Sequence, residues 1–164
     1  MSDQSLVKLF KHMAWANNSV FTILSELPED ALNLYTSNPD WKVGGIANHI
    51  VETQPRLLSR LKKEQAPSSV QFPITSEGMK ELASLSLKNG EEFLKWIDQP
   101  EEILTFGRYD KTVSFQNTTV IAQIIHHSTE HRAQIADILE VNKISAINLD
   151  SLDLWSYELA HRSN

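Results

Sequence analysis

Three of the six histidines in this 164-residue sequence crowd into one stretch, His126-His127-Ser128-Thr129-Glu130-His131. Two imidazoles four residues apart on a helix lie one turn apart, and both can offer a neutral nitrogen to the same cation. Imidazole suits zinc, nickel, iron or copper. With about 100° per residue and Val120 set at zero, His131 falls at about 20° and His127 at about 340°. Both lie on or beside the apolar stripe of Val120, Ile124, Ile135 and Ile138. His126 falls at about 240°, on the polar side with Glu130 and Asp137. A lone inward histidine is ordinarily a hydrogen-bonded core residue; the pair on the core face favours ligation. A pair still needs a third ligand. The sequence has no cysteine, so that ligand must be His, Asp or Glu. His49 lies at the edge of the stripe of another helix, but periodicity alone does not choose it over Glu52, Asp153 or Glu158. Three protein ligands would leave one coordination position for water or substrate, the pattern of a catalytic centre. No general base stands out, so the catalytic residues stay unknown.

Four long amphipathic segments must position these side chains. Residues 4–26 carry Leu6, Phe10, Met13, Val20 and Leu24 on one face. Asn17 falls within that stripe and calls for a hydrogen-bond partner on a neighbouring helix. His12 lies off the stripe and reads as a surface residue. Trp15 points to the opposite face, as an exposed aromatic or a subunit contact. Proline ends this helix at Leu27-Pro28, and residues 29–34 suggest a further turn. A second long helix runs from about 44 to 63, with Ile46, Ile50, Leu57 and Leu61 inward and Pro55 expected to kink it. A third spans 77–97, where Gly90 either permits close helix approach or weakens the helix by about 1 kcal/mol. Residues 102–115 alternate around Tyr109-Asp110-Lys111 as a short hairpin or extended insert. Asn117 or Thr118 is expected to cap the histidine helix, which reaches about Val141. Asp150 to Ala160 forms a short last helix. The expected fold is all-α: a four-helix bundle, with a short β-hairpin or extended insert before the last long helix. It occupies one domain over residues 1–164. Trp41, Trp96 and Trp155 are expected to pack, with Trp155 and Tyr157 at a pocket mouth. Arg132, at about 120°, is expected outside the core centre beside an acidic neighbour.

Composition narrows the function. A hydrophobic content of 41% with 22% charged residues is ordinary for a globular protein. A net charge of −6 without a basic cluster argues against nucleic acid as a partner. No apolar run is long enough for a bilayer, and Met1-Ser2-Asp3-Gln4 carries no signal-peptide pattern, so no membrane is expected and the cytoplasm is the default location.

Asn48-His49-Ile50 in the second helix and His127-x-x-x-His131-Arg132-Ala133-Gln134-Ile135 in the fourth resemble the DinB/YfiT-like superfamily of metal-binding four-helix bundles. So do His12-Met13-Ala14-Trp15-Ala16-Asn17 and the order of elements along the whole chain. Each half of this pattern is weak alone, and together they are fairly specific. The resemblance implies that His49, His127 and His131 hold a divalent transition metal such as zinc, nickel or iron. It also implies a homodimer acting on a small-molecule substrate, as a transferase or isomerase that uses a low-molecular-weight thiol. Ala133 departs from a frequent glycine, which touches helix packing rather than ligation. The alternative is a non-catalytic dimeric helical module that binds metal incidentally or not at all. A less favoured rival is a zinc peptidase or other hydrolase, because His127 to His131 also fits H-x-x-E-H. There Glu130 would be the base, yet it falls at about 280°, towards the polar side, and reads as a surface charge.

Overall fold

The computed structural model describes residues 4–162. Met1, Ser2 and Asp3, on which the reading of the leader largely rests, lie outside the described residues. The first helix, α1, is Gln4–Glu26, followed by a single turn, α2, at Glu29–Leu32. Then come α3 (Val43–Lys62), α4 (Ser76–Leu94), β1 (Ile103–Arg108), β2 (Lys111–Gln116) and α5 (Asn117–Val141). A 3₁₀ turn at Leu149–Leu152 leads into α6 (Leu154–His161). The four long helices make the bundle, with α1 against α4 and α3 against both α4 and α5. Gly90 serves the first of these pairings, because a Cβ there would stand 2.7 Å from the Ala14 Cβ. The strands pair antiparallel from Ile103↔Gln116 to Arg108↔Lys111. Tyr109 and Asp110 close them with φ of 48° and 58°, the positive pair that a type I′ turn requires.

Boundaries differ from expectation in three places. Helix α4 stops at Leu94, and Trp96 and Ile97 turn aside to pack on the apolar cluster that contains Phe10 and Phe93. The last helix is broken at Asp153, whose carboxylate accepts the Ser156 amide at 2.7 Å and restarts it as α6. Gln116, not Asn117 or Thr118, precedes α5, and it makes no side-chain cap. Asn117 ties the hairpin down instead: its amide donates to the Pro100 carbonyl (2.9 Å) and its Oδ1 accepts from Thr118 N (2.9 Å).

The core is two apolar clusters rather than one. Val20, Phe21, Leu24, Ile46, Ile50 and Ile135 anchor one; Phe10, Met13, Leu61, Phe93, Val120 and Ile124 anchor the other. Between them every long helix contributes buried polar residues: Asn17 from α1, Thr53 and Gln54 from α3, Ser86 and Asn89 from α4, Ser128 and Arg132 from α5. The histidines stand at this level, on the open side of the α3–α5 seam. No helix among the described residues is long and apolar enough to cross a membrane.

Candidate metal centre

Helix α3 presents His49 and helix α5 presents His127 and His131, all half-buried. One ligating nitrogen from each lies within 4.8 Å of the others. The Nε2 atoms of His49 and His127 approach to 3.1 Å. Nitrogens about 2.0–2.1 Å from a shared tetrahedral ion would stand about 3.4 Å apart, so the trio fits a transition metal with small side-chain rotations. The rivals for third ligand are engaged elsewhere. Glu52 accepts from Ser69 (2.6 Å), Asp153 caps α6, and Glu158 pairs with Lys8 (2.7 Å) and Arg162 (3.3 Å). His126 and Glu130 face solvent, as their helical angles predict.

Neighbouring groups orient two of the rings. The Thr53 hydroxyl donates its one hydrogen to the His49 and Ile50 carbonyls at 3.1 and 3.0 Å. With that hydrogen on the backbone carbonyls, its lone pairs face His127 Nδ1 at 3.4 Å, an arrangement that favours the proton on Nδ1 and the lone pair on Nε2. The Gln134 Oε1 sits 2.6 Å from His131 Nδ1 and sets the same tautomer there. Burial, and after it the nearby His131 and His49, push the His127 pKa down to about 4. Burial, then His131, also lowers His49. Both rings are therefore neutral at physiological pH, the form that binds a cation.

Sequence reasoning missed the wall around the trio. Trp41 lies edge-on to His49, with ring centroids 5.2 Å apart, and 5.6 Å from His131. Beside His49 and His127 a cavity of about 530 Å³ opens between α3, α5 and the hairpin, lined also by Arg56, Arg60, Phe106, Arg108 and Gln123. The spacing from His49 to Arg56 and Arg60 carried the signal, because all three share one face of a helix.

Behind the histidines lies the polar layer. Arg132 is only 4% exposed, a correction to its expected place outside the core centre. Among the described residues it pairs with no acidic neighbour. Its Nη1 donates to Asn17 Oδ1 at 2.6 Å and its Nη2 to Thr129 Oγ1 at 3.2 Å. The Asn17 amide reaches Ser86 and Ser128, so Asn17 does have the interhelical partners that its position demanded. His12 is half-buried rather than on the surface and bonds the Leu152 carbonyl at 2.8 Å. Trp15 packs against Tyr157 instead of standing free, whereas Trp155, expected to pack, is 80% exposed.

A family model described as the DinB family matches residues 1–140. Among curated proteins none matches the chain. The crystal structure of a DinB-like protein from Bacillus cereus ATCC 10987 is similar with a TM-score of 0.70, over 90% of this chain and 97% of that one, at 16% identity. That likeness is one of fold.

Proposed function

The chain belongs to the DinB family, and we propose that His49, His127 and His131 hold one divalent transition metal (zinc, nickel or iron) in a transferase or isomerase that uses a low-molecular-weight thiol. One observation carries the metal: three ligating atoms within 4.8 Å, two of them on rings whose far nitrogens are held by Thr53 and Gln134. The open cavity beside the trio supports a catalytic centre over a sealed structural one. The thiol comes from the resemblance to the family. A metal bound there supplies Lewis acidity, which lowers the pKa of a thiol or water presented to it. The protein's own residues do the positioning. Thr53 and Gln134 keep a proton on each Nδ1, so that both Nε2 lone pairs face inward. Trp41 covers one side, and the cavity admits substrate from the other.

The test is a thiol-transfer assay on zinc- or nickel-loaded protein, with cysteine or glutathione and a haloaromatic electrophile. Metal-dependent consumption of thiol is expected, and it should vanish in His131→Ala. Rates at background with every thiol, in protein shown to hold metal, would remove the transferase reading.

A homodimer is part of the same proposal. Trp155 and Leu159 on α6 are 80% and 67% exposed, and contiguous exposed apolar groups mark association surfaces. Light scattering on the eluting protein should give twice the 18.6 kDa of one chain. Trp155→Glu should shift it towards monomer; a monomeric native protein sinks the proposal.

A further inference from the structure

We propose that the cavity beside the histidines recognises an elongated small molecule with an oxyanion headgroup, a carboxylate or phosphate, held by Arg56, Arg60 and Arg108. The chain has five arginines and a net charge of −6, yet three of the five line this one cavity. Among the described residues none of the three has a carboxylate within ion-pair distance, although every other close pair found joins a lysine or Arg162 to a glutamate. Glu52, the acid on the same face, is hydrogen-bonded by Ser69 and Gln71 and acts on Arg56 only through space, without an ion-pair contact. Burial, and after it the like charges of Arg56 and Arg108, lowers the Arg60 pKa. An anion would relieve that repulsion.

Two of the three guanidinium groups sit over aromatic rings. Arg60 lies 4.2 Å over the Phe106 ring and Arg108 lies 4.8 Å over Tyr109. The ring contacts restrain both side chains, and a guanidinium so held can offer an N–H edge to the two oxygens of a carboxylate or phosphate. Helical spacing sets the length. His49, Thr53, Arg56 and Arg60 follow at i, i+4, i+7 and i+11, one stripe of α3. Arg56 stands about 10 Å and Arg60 about 16 Å from His49 along the axis, at 1.5 Å per residue. Phe106 and Phe115, with ring centroids 5.9 Å apart, supply an apolar wall on the hairpin side. A fitting molecule therefore has an anionic head, an apolar middle and a reacting end at the histidines. The reacting end rests on the metal reading above; the headgroup stands on the arginines alone.

Calorimetry with 5-phenylvalerate, 4-phenylbutyl phosphate and the neutral 4-phenylbutanol separates the two. At least one anion should saturate the native protein and bind at least about tenfold tighter than the alcohol, with affinity falling as salt rises. Arg56→Gln and Arg60→Gln should each weaken it at least about fivefold, and Arg60→Lys should recover part of the loss. Which anion is tighter identifies the headgroup. The same preference should persist in His49→Ala, so a failed metal site leaves this result readable. Equal binding of the alcohol, no saturable binding of either anion, or unchanged affinity in the folded Arg56→Gln/Arg60→Gln double variant would overturn the proposal.

Discussion

His49→Ala and His131→Ala are each expected to strip the metal from the protein. Native protein purified without a histidine tag should carry about one equivalent of zinc, nickel or iron, since a three-ligand site binds one ion. Losing one of three imidazoles should weaken binding by more than about a thousandfold, about 4 kcal/mol. The orienting residues should matter less. Thr53→Val and Gln134→Leu leave all three nitrogens in place and free two rings to turn, for a loss of about ten- to a hundredfold. That ordering is the signature of a built site, because adventitious binding to surface histidines would not respond to Thr53. Trp41 offers a second readout: it touches His49 and His131, so nickel binding should quench its emission, and Trp41→Phe should abolish the quenching. Metal retained by His49→Ala would exclude His49 as a necessary ligand. A native protein that holds no metal and takes up neither zinc nor nickel would overturn the metal reading.

The grouping of the histidine pair was legible because the spacing that ligation would need and helical periodicity speak about the same few residues. His127 and His131 had to share a face, and the apolar stripe of α5 said which face. The order of elements was legible for a similar reason, since proline, asparagine and polar runs interrupt the stripes where the chain turns. Arg132 was not. Its backbone angle is off the core centre, but a long side chain can fold back across the helix and bury its charge where the angle of the Cα predicts none. His12 and Trp15 misled in the opposite way. They lie off the stripe that faces the bundle, and α6 supplies a second surface that covers them, which periodicity within α1 cannot announce. Trp41 escaped because it sits in a loop, where no period applies. His49 was the intermediate case: spacing left it level with three acids, and only the chain's path, which engages those acids elsewhere, brings it alone to the pair.

Asn17→Leu is expected to destabilise the fold by about 3 kcal/mol, since removing one partner of a buried charge leaves that charge out of solvent with only the longer Thr129 hydroxyl contact. Asn17 Oδ1 is the shortest acceptor that Arg132 has, at 2.6 Å. Burial pushes the guanidinium only to about 10, so it stays charged at neutral pH and cannot escape by losing its proton. For a chain of this size the loss corresponds to a fall in Tm of roughly 6–12 °C. Asn17→Asp keeps an acceptor and should lose far less. Arg132→Met in the Asn17→Leu background removes the orphaned charge and should recover part of the loss, a coupling of about 2 kcal/mol measurable by a double-mutant cycle. The consequence reaches the site through the chain. Ser128 and Arg132 directly follow His127 and His131, and Asn17 links both to α1, with Ser86 drawing in α4. The network thus holds α5 at the height and rotation that point two imidazoles at His49. Asn17→Leu should accordingly weaken metal binding, by less than loss of a ligand, while Asn17→Asp leaves it close to native. A folded Asn17→Leu protein less stable by under about 1 kcal/mol, with native metal affinity, would show that packing alone positions α5 and that this polar layer is not what holds the histidines.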